Sequence, residues 1–108
     1  MSFEVTSIRQ FDRQLKRLVR KYPSLAAEVE SLAEALAEDP DLGTDIGGGL
    51  HKIRLAIRSK NRGKSGGARV ITVVRVVRET VYLASIYDKS EVETLSDEEL
   101  LALATAVD

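Results

Sequence analysis

The sequence predicts an α+β fold in a single domain over residues 1–108, with its elements in the order strand, helix, helix, three strands, helix (βααβββα). This prediction rests on a change in the spacing of apolar residues along the chain. Apolar side chains recur every three or four positions in the first third of the chain, as on one face of a helix. Beyond Gly49 they alternate, as in a strand. With 44% hydrophobic residues among 108, the chain is long enough for one modest core.

The N-terminal part begins with a strand and continues as two helices. Ser2–Thr6 alternates and predicts a short strand, and the spacing from Ser7 to Gln10 is typical of a capping box that opens a helix. The apolar stripe of this helix comprises Ile8, Phe11, Leu15, Leu18 and Tyr22. After a break at Pro23 and Ser24, a second stripe comprises Leu25, Val29, Leu32 and Leu36. Such a short connection predicts an antiparallel helical hairpin.

The C-terminal part predicts a small antiparallel sheet of three consecutive strands and a last helix. Residues 39–49 have the composition of a loop, and the strand after them has apolar residues on one face and basic residues on the other. Ala68–Val77 is a nearly continuous β-branched run, as in a central strand covered on both faces. Thr80–Tyr87 is the next strand. Ser96–Val107 predicts a helix with a capping box formed by its first residue and Glu99.

The charges are segregated along the chain although their totals nearly cancel. There are 16 Lys and Arg residues and 17 Asp and Glu residues, which give a net charge of −1. Most bases lie in residues 9–21 and 52–78, and most acids lie in residues 28–45 and 79–108. The second basic block contains no acid and nine cations, which are Lys52, Arg54, Arg58, Lys60, Arg62, Lys64, Arg69, Arg75 and Arg78. This segregation predicts a basic face that attracts polyanions, even at a pI of 5.9.

The composition argues against several other classes of protein. The absence of Cys excludes a disulfide framework, and a single His without Cys argues against a classical zinc site, so we expect no metal and no cofactor. The N-terminus lacks a signal-peptide pattern, and no apolar run reaches membrane-spanning length. We therefore expect a cytoplasmic protein with no membrane partner.

The glycine-rich loop from Ser59 to Gly67 does not match a nucleotide-binding motif. Its GKS resembles the end of a Walker A motif, but Arg58 stands where the first glycine is required, and a strand follows instead of a helix. The commoner explanation of a charged loop is a solvated hairpin tip. The absence of acids and the continuation of basic residues into both flanking strands favour a binding site for an anion.

The pairing of the strands predicts where the basic groups meet. A tight turn near Glu79 would place Arg69 opposite Lys89, and a hairpin loop at residues 59–67 would place Arg58 beside Arg69. One end of the sheet then gathers Arg58, Arg69, Tyr87 and Lys89 beneath the loop cations Lys60, Arg62 and Lys64. Such like charges repel one another, which lowers stability unless an anion binds. We therefore expect Arg69 to be needed for chemistry and not for packing.

Four other polar residues each have two interpretations. His51 is either a general acid or base, or a surface residue at the start of a strand, and the second is expected. Tyr87 is equally consistent with a catalytic or base-stacking phenol and with a core aromatic. Asp88 and Glu91 are expected to be loop acids next to Lys89 and not catalytic groups. Any chemistry must therefore use Lys, Arg and Tyr.

Three segments carry a resemblance to a known family, namely FDRQLKRLVRKYPSL, KIRLAIRSKNRGKSGGARVI and LASIYDKSEVETLSDEEL. They resemble the RelE/HigB family of type II toxin–antitoxin toxins, most closely the branch with a GK-x-GG-x-R turn and a final IY-x-K. The resemblance covers nearly the whole chain and implies a RelE-like fold. It implies an endoribonuclease that cleaves mRNA on the ribosome, inhibits translation and is neutralised by a cognate antitoxin. DNA is then expected to be bound only through the antitoxin.

The resemblance also implies which residues are functional. The positions that match the family's active site are Lys52, Arg54, Arg69, Tyr87 and Lys89. Arg58 is added because it belongs to the same predicted cluster. An RNA strand can be cleaved by its own 2′-OH, so the protein needs a base such as Lys and planar Arg donors for the developing charge. The cations expected to bind RNA or the ribosome are Arg13, Lys16, Arg17, Arg20, Lys60, Arg62 and Lys64.

Two alternatives to the nuclease remain open. The related ParE branch shares the fold and acts on gyrase without catalysis, so the fold alone does not determine the target. The chain is also consistent with a toxin relic that binds only its antitoxin.

Overall fold

The structure, a computed structural model, describes residues 2–60, 66–92 and 94–107. Within these residues, three helices and five strands follow one another, together with a 3₁₀ turn at Arg58–Lys60. The helices are α1 (Arg9–Lys21), α2 (Leu25–Glu38) and α3 (Asp97–Ala106). The strands are β1 (Glu4–Ser7), β2 (Thr44–Gly47), β3 (Leu50–Leu55), β4 (Ala68–Arg75) and β5 (Thr80–Asp88). The predicted α+β class is confirmed, with one strand more than predicted.

The N-terminal helical hairpin forms as its apolar spacing predicts. Phe11 and Leu18 of α1 are buried, as are all four residues of the predicted α2 stripe. The predicted capping box at Ser7 is wrong, because Ser7 ends β1 and α1 begins only after Ile8. The Ser7 hydroxyl instead donates a 2.5 Å hydrogen bond to the Asp12 carboxylate. Among the described residues, no helix is both long enough and apolar enough to cross a lipid bilayer.

The five strands form one mixed sheet in the order β1-β5-β4-β3-β2. The pairs β3–β4 and β4–β5 are antiparallel as predicted, whereas β1 lies parallel to β5. The prediction of a purely antiparallel sheet is therefore wrong in this one pair. Side-chain alternation has the same period in both strand directions, so it could not reveal the difference. The prediction of a loop over residues 39–49 missed β2, because all four residues of this short strand are exposed and show no apolar alternation.

The two faces of the sheet are covered by different helices. The first core joins α1 and α2 to one face and includes Val70 and Ile86. The second core joins α3 to the other face, where Leu103 belongs to the same cluster as Ile71 and Tyr87. Since successive side chains of a strand project to opposite faces, β3, β4 and β5 each contribute to both cores. The predicted capping box at the start of α3 is confirmed, with both of its hydrogen bonds present.

The turn between β4 and β5 determines which residues face each other at the far end of the hairpin. Glu79 lies in this turn with a φ of 49°, so the predicted turn is confirmed. The turn lies nearer the N-terminus than predicted, because Arg75 already pairs with Thr80. A bulge between Ile71 and Thr72 then shifts the pairing by one residue, so that Arg69 faces Tyr87. The predicted pairing of Arg69 with Lys89 is therefore wrong.

The pairing of β3 with β4 places Arg54 directly opposite Arg69 and Leu55 opposite Ala68. Because β3 ends at Leu55, the predicted position of Arg58 beside Arg69 in the sheet is wrong. Arg58 begins the 3₁₀ turn instead. Its backbone N–H donates a 3.1 Å hydrogen bond to the Glu28 carboxylate of α2, which ties this turn to the helical hairpin.

Candidate functional site

Arg54, Arg69 and Tyr87 form one row across three neighbouring strands. Arg54 of β3 pairs with Arg69 of β4, which pairs in turn with Tyr87 of β5. Side chains paired in this way project from the same face, with Cβ atoms about 5 Å apart. Lys52 lies two residues before Arg54 and therefore projects from that face as well. We call Arg54, Arg69 and Tyr87 the cross-strand row.

Arg69, the centre of the cross-strand row, is a buried cation with only 2% of its surface exposed. Its Nη1 donates a 3.1 Å hydrogen bond to the carbonyl oxygen of Ala68. Burial lowers the pKa of Arg69 below its usual value, and the positive charge of Arg54 lowers it further. A guanidinium nevertheless stays protonated in proteins. The expectation that Arg69 plays no part in packing is wrong, since its side chain lies inside the molecule.

Tyr87 is part of the second core and also lines a cavity. The residue is 5% exposed and belongs to the second core, as expected of a core aromatic. Its hydroxyl is buried and has no hydrogen-bond partner among the described residues. A cavity of about 270 Å³ between α3 and the sheet is lined by Tyr87, Lys52 and Leu100, among others. Burial raises the pKa of Tyr87, while Arg69 acts in the opposite direction, so the phenol is neutral at physiological pH and able to donate.

A larger cleft of about 1210 Å³ opens beside the cross-strand row. Its lining includes five cations, which are Lys52, Arg54, Arg58, Arg69 and Lys89. Lys52 also lines the smaller cavity, so the six predicted catalytic residues lie around two adjoining spaces. Among the described lining residues Glu28 is the one acid, and its carboxylate already accepts hydrogen bonds from Ser24 and from the backbone of Arg58. The electrostatics of this cleft favour an anionic ligand.

Asp88, the last residue of β5, is fully buried, which contradicts the expectation of a loop acid. Its Oδ2 accepts a 2.7 Å hydrogen bond from the hydroxyl of Tyr22, at the end of α1. Its Oδ1 accepts hydrogen bonds from the backbone N–H and the hydroxyl of Ser90. No local signal in the sequence pointed to this role, because Tyr22 and Asp88 are 66 residues apart.

The basic residues of α1 are not brought to the cross-strand row. Arg13, Lys16 and Arg20 are exposed on a helix that covers the opposite face of the sheet. Arg17 reaches the turn after β5, where its Nη2 lies 2.9 Å from Oε1 of Glu91. The hydrogen bond between them raises the pKa of Arg17 and lowers the pKa of Glu91. The expectation that Glu91 is an acid in a turn is confirmed, and its cationic partners are Arg17 and Lys21 of α1.

The side chains of the predicted loop cations lie outside the described part of the chain. Arg62 and Lys64 lie outside the described residues. The backbone of Lys60 forms the last residue of the 3₁₀ turn, but the side chain of Lys60 also lies outside the described part of the structure.

His51 is not the surface residue that the sequence predicted, because it is 7% exposed. It follows Leu50 in β3 and pairs with Thr72, which places it on the face covered by α1 and α2, opposite the cross-strand row. Its Nε2 lies 3.8 Å from Oδ1 of Asp41. The expectation that His51 is not a catalytic group at the basic cluster agrees with this position.

Two arginines of the basic block have structural partners that the sequence analysis missed. Arg75 donates a 2.9 Å hydrogen bond to the carbonyl oxygen of Ala104, and Arg78 donates a 3.0 Å hydrogen bond to that of Val107. Both acceptors lie at the C-terminal end of α3, where the helix dipole attracts cations. The signal that could have revealed them is that α3 has no basic residue in its own last turn.

Comparisons with known proteins agree with this fold. A family model described as the RelE toxin of the RelE/RelB toxin–antitoxin system matches residues 5–107. A chain of the toxin–antitoxin complex RelBE2 from Mycobacterium tuberculosis is 20% identical, with 82% of this chain and 92% of that chain covered and a TM-score of 0.56. The E. coli toxin RelE in the free state, with two arginines changed to alanine, is 16% identical, with 86% and 90% covered and a TM-score of 0.60. At these identities, the two structures show a shared fold.

Proposed function

Because the chain belongs to the RelE toxin family of RelE/RelB toxin–antitoxin systems, we propose that it is a ribosome-dependent endoribonuclease that cleaves mRNA and thereby inhibits translation. The observation that carries the proposal is the cross-strand row, whose two arginines line a cleft together with three further cations and whose neutral phenol lines the adjoining cavity. Like charges at paired strand positions destabilise the free protein. The phosphates of an RNA strand offset that repulsion, which gives the cluster a function that folding does not provide.

The two arginines of the row are proposed to stabilise the transition state. When the 2′-oxygen attacks the adjacent phosphorus, negative charge grows on the non-bridging oxygens, and a guanidinium fork donates to two such oxygens at once. Arg69 is buried and hydrogen-bonded to the backbone, so its donors are held in place before the substrate arrives. Arg54 and Arg58 add charge from the exposed side of the same cleft.

Proton transfer is proposed to involve the amines and the phenol of the site. Lys52 and Lys89 line the cleft, and either amine in its unprotonated form accepts the proton of the 2′-OH. The neutral Tyr87 donates a hydrogen bond that orients the nucleophile, since its raised pKa disfavours a phenolate base. The bond from phosphorus to the 5′-oxygen then breaks, and that oxygen leaves as a hydroxyl after taking up a proton. The products are a 2′,3′-cyclic phosphate and a 5′-OH end.

The proposed dependence on the ribosome is explained by a site that contains no histidine among its described residues. The one histidine of the chain lies on the opposite face of the sheet, so it cannot act as the acid–base catalyst that free nucleases commonly use. A site built on Lys, Arg and Tyr needs its RNA held in an attacking geometry, and fixed positioning accounts for a large share of catalysis. We propose that the ribosome supplies that geometry.

The proposed partner is a cognate antitoxin that covers the basic cleft. The M. tuberculosis structure with a similar fold is a toxin–antitoxin complex, which supports such a partner for this chain. Acidic and apolar side chains of the antitoxin would complement the cleft, where the cations lie beside Leu32 and Ile53. Any binding to DNA is then expected to occur through the antitoxin.

The decisive experiment expresses the chain without its antitoxin and maps the 5′ ends of cellular mRNA. We expect growth arrest together with new 5′-OH ends inside translated codons. The purified chain should cleave the same mRNA on ribosomes and leave it intact when free. Growth arrest with intact mRNA and DNA damage would instead indicate a gyrase inhibitor, and the absence of any arrest would indicate a relic that binds only its antitoxin.

A further inference from the structure

We propose that the buried hydrogen bond between Tyr22 and Asp88 fixes the turn of residues 88–92 and thereby holds Lys89 and Tyr87 in position for RNA cleavage. Tyr22 and Asp88 would then be positioning residues, because neither lines the two spaces of the site. The inference rests on the proposed function for the cleavage step and on the hydrogen bonds of this turn for the positioning.

The bond connects the end of α1 to the end of β5 inside the protein. Tyr22 is the C-cap residue of α1 and is 8% exposed, and Asp88 is fully buried. The phenol donates to Oδ2 of Asp88 at 2.7 Å. A hydrogen bond to a buried carboxylate is stronger than one between neutral groups, and leaving the carboxylate without it is costly. This contact therefore fixes the position and direction of the C-terminal end of β5 relative to α1.

The turn after β5 is built on the remaining acceptors of Asp88. Its Oδ1 accepts from the N–H and the hydroxyl of Ser90, at 2.9 and 2.8 Å. Its backbone carbonyl accepts from the N–H groups of Glu91 and Val92, at 2.9 and 3.0 Å. Asp88, held by Tyr22, thus accepts hydrogen bonds from three of the four residues that follow it, from Ser90 through its carboxylate and from Glu91 and Val92 through its backbone carbonyl.

The residues on either side of Asp88 belong to the proposed active site. Tyr87 precedes it in the cross-strand row, and Lys89 follows it at the large cleft. Because neighbouring strand residues project to opposite faces, the Asp88 side chain points to α1 while Tyr87 points to the site. The N–H of Lys89 donates a 3.1 Å hydrogen bond to the carbonyl oxygen of Gly67, just before β4. A shift of Asp88 would therefore move both catalytic candidates together.

A second link between α1 and this turn is exposed and much weaker. Arg17 and Lys21 lie 2.9 and 3.7 Å from the carboxylate of Glu91, and their side chains are 61% and 54% exposed. Ion pairs at such exposed positions contribute little to stability. They provide a natural control, because they join the same two elements without touching Asp88.

The test compares Tyr22→Phe with the wild-type chain in single-turnover cleavage on saturating ribosomes. The variant keeps the ring and removes only the hydroxyl, so the core stays filled. We expect the cleavage rate to fall by about 10- to 100-fold, since a displacement near 1 Å can cost about 100-fold, without a comparable rise in KM for ribosomes. Amide hydrogen exchange should become faster at Lys89, Glu91 and Val92 and stay unchanged at Val74, at the other end of the sheet.

Three further variants separate positioning from a general loss of stability. Tyr82→Phe removes a hydroxyl that accepts a hydrogen bond from Arg78, remote from the site, and should retain the wild-type rate. Glu91→Gln removes the negative charge of the exposed ion pairs and should have a small effect on the rate. Asp88→Asn keeps the shape and the Oδ1 acceptor of the side chain, and should give a loss of rate smaller than or equal to that of Tyr22→Phe.

The outcomes distinguish this inference from the proposed function. If Tyr22→Phe cleaves at the wild-type rate, or if exchange in residues 88–92 is unchanged, the positioning inference is overturned while the nuclease function stands. An equal loss in Tyr22→Phe and Tyr82→Phe overturns it as well, because the cause would then be general. If the wild-type chain cleaves no mRNA, the proposed function fails together with the cleavage part of this inference, and hydrogen exchange alone decides whether Tyr22 fixes the turn.

Discussion

Replacing Arg69 by Met isolates the charge at the centre of the cross-strand row. Because Arg69 is 2% exposed, an Ala substitution would leave a cavity as well as remove the charge. Met keeps most of the unbranched side-chain volume and carries no charge. The matched control is Arg9→Met, which removes an arginine from an exposed position at the start of α1.

The magnitude follows from the contacts of the side chain. Removing one well-placed charge stabiliser lowers a rate by about 10²–10³, or roughly 3–4 kcal/mol of transition-state stabilisation. The folded state loses the hydrogen bond to Ala68, worth about 1 kcal/mol. It also gains up to about 1 kcal/mol because Arg54 no longer faces a like charge. These two described contributions have opposite signs and similar sizes, so together they change the free energy of unfolding by no more than about 1 kcal/mol, which corresponds to a Tm shift of about 4–8 °C or less.

Two measurements on the same preparations check this prediction. Single-turnover cleavage of mRNA on saturating ribosomes should show the full loss of rate in Arg69→Met and none in Arg9→Met. Thermal unfolding should show both variants folded at the assay temperature. If folded Arg69→Met cleaves at the wild-type rate, the cross-strand row is a docking surface and the active site lies elsewhere.

Three further predictions concern other parts of the molecule. Burial raises the folded-state pKa of Tyr87, so its contribution to stability is present below the unfolded pKa of about 10 and is lost as the pH rises through the folded value. The difference between the absorbance titrations of the wild-type chain and of Tyr87→Phe should therefore show a step at a higher pH than that of an ordinary tyrosine, and a step at the ordinary pH would contradict this assignment. Lys16→Ala should weaken binding to ribosomes and lower the salt slope by about one, whereas Arg17→Ala should do so less because Glu91 already neutralises that charge, and equal slopes would refute the distinction. Ser96→Ala should lower the free energy of unfolding by about 1 kcal/mol in a denaturant titration, because the hydroxyl that accepts a hydrogen bond from the N–H of Glu99 is lost, and an unchanged midpoint would show that this cap contributes nothing.

Local patterns predicted the elements well where burial is regular. The stripe from Leu25 to Leu36 follows a helical period, and all of its residues are buried in α2. Ala68–Arg75 is buried at seven of its eight positions, as its β-branched composition indicated. The capping box at Ser96 was predicted because its two hydrogen bonds connect residues three apart. In each case the sequence pattern and the burial or hydrogen bonds that it predicts belong to the same element.

Predictions that depended on pairing between elements were less accurate. The hairpin argument placed Arg69 opposite Lys89, but an earlier turn and a bulge place it opposite Tyr87. The same argument placed Arg58 in the sheet, whereas β3 ends at Leu55. A turn one or two residues away from the assumed one changes every pair in the hairpin, and nothing in the strand sequences opposes that shift. The predicted cations nevertheless line one cleft, because they lie on or next to the same end of three neighbouring strands, and a shift of one or two residues does not move them to another part of the sheet.

The sequence by itself determined the α+β class, the helical faces and the concentration of cations without acids between Lys52 and Arg78, since all three follow from local composition and period. Only the tertiary structure decided that Arg69 is buried, that Asp88 accepts a hydrogen bond from Tyr22, and that β1 lies parallel to β5. These features depend on contacts between residues far apart in the chain. Their energies come from desolvation and from hydrogen bonds that exist only once the helices are packed on the sheet, so no window of sequence contains them.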